Sequence, residues 1–290
     1  MFGSSQRGIT GGAPNRSHQS ICGGFGMTAS LREIKVYTTF PHRCSYLENE
    51  EATTLFVDPR QALSPELYTQ LSLLGFRRSG DHVYRPHCAN CNACIASRVR
   101  VDEFSPGRTQ RRISRRNRDL RLETTESIDD DEAFNLYRHY IEARHADGDM
   151  YPPVRDQYDS FLNDGLGCAT YYRLYEGNRL IAVTVADKML DGLAAIYTFF
   201  DPAQSKRSLG TEAILLQIRE ARAMGLSFVY LGYWIDGCRK MSYKARYTPL
   251  ELFVDGQWQA QRMEQQTNAS PDAIIDLLAS SNTHHDLDEG

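Results

Sequence analysis

The chain has 290 residues, 41% of them hydrophobic, with 33 Lys+Arg against 37 Asp+Glu. That supplies a core for one large domain or two modest ones, and excludes a chain too polar to fold. No run of about 18 apolar residues is present to span a bilayer, so no membrane partner is expected. The total charge of −4 conceals an asymmetry: residues 1–121 hold 18 basic and 10 acidic residues, net +8, and the remainder nets −12. Such a division points to one half that faces an anion and one that does not.

Residues 1–26 (MFGSSQRGITGGAPNRSHQSICGGFG) lack the apolar centre of a signal peptide and are expected to be a disordered leader, with Met27 as the natural start. Without an export signal the seven cysteines read as reduced, and a cytoplasmic location follows. Short strands are expected over 34–40 and 53–57, from their β-branched and aromatic content. A helix is expected over 64–76, where Ser64 and Pro65 form a start and Gly75 a stop.

His87, Cys88, Cys91 and Cys94 follow in HCxxCxxC spacing. With Cys44 they could ligate Zn²⁺ or an iron–sulfur cluster, but they sit on one short segment with no second matching pair. Buried thiols packing a small domain are the preferred reading, and neither metal nor cofactor is expected.

After a strand over 95–101, the stretch from Ser105 to Leu122 reads as one helix. Between Arg77 and Arg121 there are twelve arginines and no lysine. Arginine without lysine favours bidentate contact with an oxyanion over diffuse solubilising charge. Arg108, Arg111, Arg112, Arg115, Arg118 and Arg121 recur at steps of three and four, so they share a helix face with Arg116 close by. Like charges so spaced repel unless an anion is near.

Helices are expected over 133–145 and 155–163. Strands follow over 169–176, 179–190 and 192–202, with turns at Gly177-Asn178 and Asp191-Gly192. A helix over 211–225 and a strand over 227–235 complete the pattern. Two helices, a three-strand meander, a helix and a strand form the order of a Gcn5-related acyltransferase (GNAT). The expected class is therefore α+β: a small N-terminal α/β domain with the Cys cluster (27–122), a GNAT-like domain (123–263) and a loose tail (264–290).

A coenzyme A loop in that fold would fall at Arg207-Ser208-Leu209-Gly210-Thr211-Glu212. Glu212 takes the last small-residue position, where a carboxylate would repel a pyrophosphate, so an acyl donor other than acetyl-CoA is expected. Farther on, Cys238 to Pro249 carries Arg239, Lys240, Lys244 and Arg246 among Tyr243 and Tyr247, just past Tyr233 and Trp234. Cations interleaved with aromatics after a strand suit an acidic group and a ribose or carbonyl, although a solvated basic loop has the same composition.

Three stretches, YTTFPHRCSYLENEEATTLFVDP, YRPHCANCNACIASRVRV and GYWIDGCRKMSYKARYTPLEL, resemble the bacterial aminoacyl-tRNA–protein transferases that transfer leucine, relatives of the eukaryotic arginyl-tRNA–protein transferases. The likeness runs from about Met27 to about Met263. It implies ribosome-independent movement of leucine from leucyl-tRNA to the α-amine of proteins that begin with Asp or Glu, which marks them for degradation by the N-degron route. Lys240, Tyr243 and Lys244 match the family's K-M-x-Y-K signature. Of the Cys positions that hold a metal or cluster in the eukaryotic relatives, Cys44 and Cys91 match, whereas Leu47 and Asn92 replace the others.

A tRNA donor makes the coenzyme A cradle unnecessary and an arginine-rich face useful, and Arg108, Arg111, Arg112, Arg115 and Arg116 are the expected tRNA contacts. The acidic acceptor side chain is expected at Arg207, Lys240, Lys244 or Arg246. Tyr197, Tyr233 and Tyr243 are expected to orient the amine or ribose, and Asp187 and His145 to accept a proton. Two other classes fit parts of the chain: an acetyl-CoA-dependent acetyltransferase, and a metal-containing RNA-binding regulator without catalysis.

Overall fold

A computed structural model describes residues 31–163 and 166–261; the expected leader, Met27 and the expected tail 264–290 lie outside them. The chain starts with β1 (Val36–Thr38), β2 (His42–Arg43), β3 (Glu51–Ala52), β4 (Thr54–Val57), α1 (Pro65–Leu73), β5 (Arg77–Ser79) and β6 (His82–Pro86). β1, β4, β6 and β5 form a small sheet in that order, and β2 pairs with β3 beside it. Ser64 caps α1 by accepting from the Leu67 N–H at 3.2 Å, and Pro65 presets the first turn. Leu67, Tyr68 and Leu71 of α1 then bury themselves with Leu55 and Val57 of β4. Gly75, at φ +87°, turns the chain into β5 in a backbone region that favours glycine.

The remaining elements are β7 (Ile95–Arg100), α2 (Arg108–Arg116), β8 (Arg121–Thr125), α3 (Asp131–Arg144), α4 (Arg155–Tyr158), β9 (Ala169–Glu176), β10 (Arg179–Lys188), β11 (Gly192–Phe200), α5 (Leu209–Ala223), β12 (Phe228–Trp234), β13 (Leu250–Val254) and β14 (Gln257–Ala260). They build an eight-stranded sheet in the order β14-β13-β7-β12-β11-β10-β9-β8. β10 is a continuous buried run because both faces are covered. Ile181 packs with Ile214, Leu215 and Ile218 of α5, while Val183 and Val185 pack with Tyr137 and Ile141 of α3. β7 lies between β12 and β13, so residues on the N-terminal side of position 122 contribute a central strand of the large sheet.

The expected helix to Leu122 is too long. α2 stops at Arg116, where the Asn117 side chain donates to the carbonyls of Ile113 at 3.1 Å and Arg207 at 2.9 Å. Arg118 therefore leaves the helix and Arg121 opens β8. The twelve arginines do not form one surface either. Arg77, Arg78 and Arg98 are buried, whereas Arg108, Arg111, Arg112, Arg115 and Arg116 are exposed on α2.

β11 and β12 run parallel but pair only at Gly192–Phe228, Leu193–Val229 and Ala194–Tyr230. Beyond that the two strands part, and the gap between them is the floor of the candidate site.

Candidate functional site

A cavity of about 810 Å³ occupies the gap. Gly210, Thr211, Ile214 and Gln217 line it from one stripe of α5, at the spacing of a single helix face. Arg77, Tyr84 and Tyr233 line it from the side of the small sheet, and Tyr140, His145, Lys240 and Tyr243 contribute from α3 and the loop after β12. The structure thus brings together six of the expected residues: His145, Tyr197, Tyr233, Lys240, Tyr243 and Lys244.

Asp187 is elsewhere. Its side chain is fully buried in β10 and takes a fork from Arg78, Nε at 2.6 Å and Nη2 at 2.8 Å. The Tyr68 hydroxyl adds a third bond at 2.8 Å. These partners come from α1 and β5, so Asp187 ties the small sheet to the large one. Tyr233 has a similar duty: its hydroxyl donates to the carbonyl of Gly75 at 2.9 Å and lies 3.2 Å from that of Tyr84. Burial raises its pKa far above the ordinary phenol value.

Arg207 is also committed. It forks onto Asp119 at 3.0 and 2.8 Å and reaches Glu176 at 2.6 Å, away from the cavity lining. Arg246 is exposed outside the lining, and its carbonyl accepts from Gln110 at 3.0 Å. Glu212 does not spoil the pocket by its charge, contrary to expectation. Its carboxylate turns to Ser114 at 3.0 Å and Arg219 at 2.7 Å, joining α5 to α2 rather than facing the cavity.

Lys244 is 4% exposed. Its ammonium donates to the Tyr233 carbonyl and lies 3.3 Å from the Met241 sulfur. Burial, and next the charge of Arg77, lowers its pKa to about 8. His145 closes α3, with Nε2 3.4 Å from the Tyr140 hydroxyl, and burial lowers its pKa. Such a histidine is largely neutral at pH 7 and able to accept a proton. The Tyr197 hydroxyl and Gln217 Oε1 are both buried in the cavity wall without a partner among the described residues.

Arg77, Tyr140 and Gln217 carry no local mark in the sequence that would single them out. Their place depends on strands and helices brought together from distant positions.

The five expected arginines of α2 stand clear of the cavity, and none of them is within 4 Å of a carboxylate among the described residues. Ile113 anchors the helix beneath them at 7% exposure.

The cysteines do not fit a metal site as placed. Cys94 lies within electrostatic range of Cys88, Cys44, Cys91 and Cys238, yet among the described residues no three His, Cys, Asp or Glu side chains converge as ligands. Burial first, then these neighbours, pushes the Cys94 thiol up to about 12.

Known proteins are similar to this chain in sequence. The N-terminal part of the arginine-tRNA-protein transferase family matches residues 42–112 and its C-terminal part residues 132–254. The chain belongs to that family. An aspartate/glutamate leucyltransferase of Pseudomonas aeruginosa (strain LESB58) is 54% identical over 230 residues, 79% of this chain and 98% of that protein. The one of Pseudomonas fluorescens (strain Pf0-1) is 52% identical over 228 residues, 79% and 97% of the two chains. Among solved structures, L-PGS from Bacillus licheniformis matches at a TM-score of 0.38 and 14% identity, covering 58% of this chain and 49% of that one.

Proposed function

We infer that the protein is an aminoacyl-tRNA–protein transferase that moves leucine from leucyl-tRNA to the α-amine of proteins beginning with Asp or Glu. The observation that carries this is the 54% identity to an aspartate/glutamate leucyltransferase along nearly all of that relative's length. The product would be marked for N-degron degradation, as the family resemblance implies.

The reaction is aminolysis of an activated ester. The acceptor α-amine attacks the leucyl carbonyl, a C–N bond forms, and the ester C–O bond to the terminal ribose breaks. One proton leaves the amine and one reaches the departing ribose oxygen. An α-amine with pKa near about 8 is partly neutral at pH 7, so alignment and stabilisation of the tetrahedral oxyanion are the main demands.

The gap between β11 and β12 lets two substrates approach one cavity. We assign proton acceptance to His145, which is half-buried in the lining and kept neutral by its burial. Tyr197 and Tyr243 orient the ribose or amine, the former through a hydroxyl with no partner of its own. Lys240 and Lys244 supply positive charge. We assign Asp187 and Tyr233 to holding the cavity walls, because their polar atoms are engaged with the small sheet. Arg207 and Arg246 have supporting roles outside the cavity.

The tRNA body lies along the exposed arginines of α2, none of which has a carboxylate within 4 Å among the described residues. A Gcn5-related fold for the large sheet is supported by the β9-β10-β11 meander, the crossover through α5 and the parting parallel pair. The proposed domains remain 27–122 and 123–263, joined through β7. No helix among the described residues is long and apolar enough to cross a membrane. A cytoplasmic location is supported by the free thiols of Cys44, Cys88, Cys91, Cys94, Cys168 and Cys238.

The test is radiolabelled leucyl-tRNA with proteins that differ only in their first residue. Label is expected on Asp- and Glu-initiated acceptors. Transfer only to Arg or Lys, or to none of these, refutes the assignment.

A further inference from the structure

Five cations are buried among the described residues: Arg77, Arg78, Arg98, Arg173 and Lys244. Three are neutralised. Arg78 pairs with Asp187 at 2.6 Å, Arg98 with Glu251 at 2.7 Å and Arg173 with Asp130 at 2.7 Å. Arg77 and Lys244 have no carboxylate within 4 Å among the described residues, and both line the same cavity. A buried charge without a counter-ion is costly, and two around one space cost more because they repel.

Arg77 leaves β5 at 7% exposure. Its Nη1 donates to the carbonyls of Ser72 at 3.1 Å and Phe76 at 2.5 Å. Nε and Nη2 are buried with no partner among the described residues. The guanidinium carbon lies 5.1 Å from the ring centre of Tyr230, 6.0 Å from Tyr233 and 5.9 Å from Trp258. Tyr233 links the pair, since its ring faces Arg77 and its carbonyl accepts from Lys244. Arg85 lies outside the cavity lining, its Nη1 on the Leu74 carbonyl at 2.6 Å.

We propose that Arg77, with Lys244, forms the anion pocket that takes the side-chain carboxylate of the acceptor's N-terminal Asp or Glu, making Arg77 a specificity-determining residue. This rests on the transfer reaction inferred above. An aromatic-walled site with its cations buried in the wall suits a terminal carboxylate, which two parallel N–H groups of a guanidinium engage edge-on. A tRNA phosphodiester must continue on both sides, and the exposed arginines of α2 are better placed for it. Asn and Gln have the same shape but present no charge, and their amide N–H groups would face further donors. The pocket therefore rejects them by leaving cations unpaired, a stronger filter than fit alone.

The test compares wild type, Arg77→Met and Arg77→Lys on acceptors starting with Asp, Asn, Glu and Gln, alongside leucyl-tRNA affinity and thermal melting. Arg77→Met is expected to lower kcat/KM for Asp and Glu by about thirtyfold or more, the cost of removing one partner of a desolvated charge pair. It should leave Asn and Gln rates and leucyl-tRNA affinity within a few-fold, and Arg77→Lys should recover part of the preference. An unchanged Asp-to-Asn ratio in a folded Arg77→Met protein overturns the proposal. So does loss of leucyl-tRNA binding instead, which would give the pocket to the tRNA terminus. If Arg77→Met does not fold, calorimetry on wild type decides: an Asp-initiated peptide must bind at least tenfold tighter than its Asn twin, and equal binding overturns the proposal. Failure of wild type to use Asp acceptors at all would instead sink the underlying reaction.

Discussion

Asp187→Asn separates a structural carboxylate from a catalytic one. The substitution keeps the shape of the side chain but removes the charge that receives Arg78 at 2.6 and 2.8 Å and Tyr68 at 2.8 Å. Both the Arg78 and Asp187 side chains are fully excluded from water, so solvent cannot replace the missing partner. Breaking a buried pair in this way costs about 3–5 kcal/mol. For a folded unit of this size that corresponds to a fall in Tm of about 6–20 °C. Thermal melting followed by circular dichroism measures it, with leucyl transfer assayed at 20 °C on the folded protein. The double variant Arg78→Met/Asp187→Leu should recover much of the loss, because an apolar pair replaces two charges without leaving either alone. An unchanged Tm with transfer reduced a hundredfold would refute this reasoning and return Asp187 to the chemistry.

Charge reversal at Arg112 and Arg115 should leave the melting curve unchanged, since both side chains are exposed. It should weaken tRNA binding and flatten its salt dependence by about one unit of log–log slope for each phosphate no longer neutralised; a retained slope would place the tRNA elsewhere. Lys244→Met should differ from wild type in its pH dependence of stability. With the folded pKa near about 8 and the unfolded one near 10.5, the unfolded chain binds the extra proton between those values, so wild type gains stability relative to the variant as pH rises through that window. Urea midpoints at pH 7, 8, 9 and 10 test this, and a constant difference between the two proteins would contradict the burial of the charge. Tyr197→Phe should fold as well as wild type or better, because it removes a buried hydroxyl that has no partner among the described residues. Its transfer rate should fall if that hydroxyl meets substrate, and an unchanged rate would remove Tyr197 from the site.

The fold was legible where the signal is local. Ser64-Pro65 and Gly75 bracket α1, and the turns at Gly177-Asn178 and Asp191-Gly192 separate β9, β10 and β11. β2, β3, β5, β6, β8, β13 and β14 were missed, because runs of two to five residues carry too few alternations to show a period of their own. The expected α2 ran too long because arginine is a good helix former and nothing in the residue types alone announces the stop at Asn117. The site was harder still. Whether an arginine meets phosphate, carboxylate or aromatic faces depends on partners far along the chain: Arg78 finds Asp187 at a separation of 109 residues. His145 and the K-M-x-Y-K lysines could be found from a loop after a helix and from a cation–aromatic segment. Arg77 could not, because what sets it apart is that no carboxylate lies within 4 Å of it among the described residues.

The position of β7 has a consequence for how the chain is made. Its Ser97 and Arg98 bond to Gly232 and Glu251, 135 and 153 residues farther along. During synthesis this strand emerges roughly eight to thirty seconds before its last partner. Through that interval both of its edges are open, a state that invites pairing with other chains. A polypeptide released at residue 122 would keep that state permanently and should collect as aggregate rather than as a folded half. The two family-matched stretches, 42–112 and 132–254, thus complete one sheet between them.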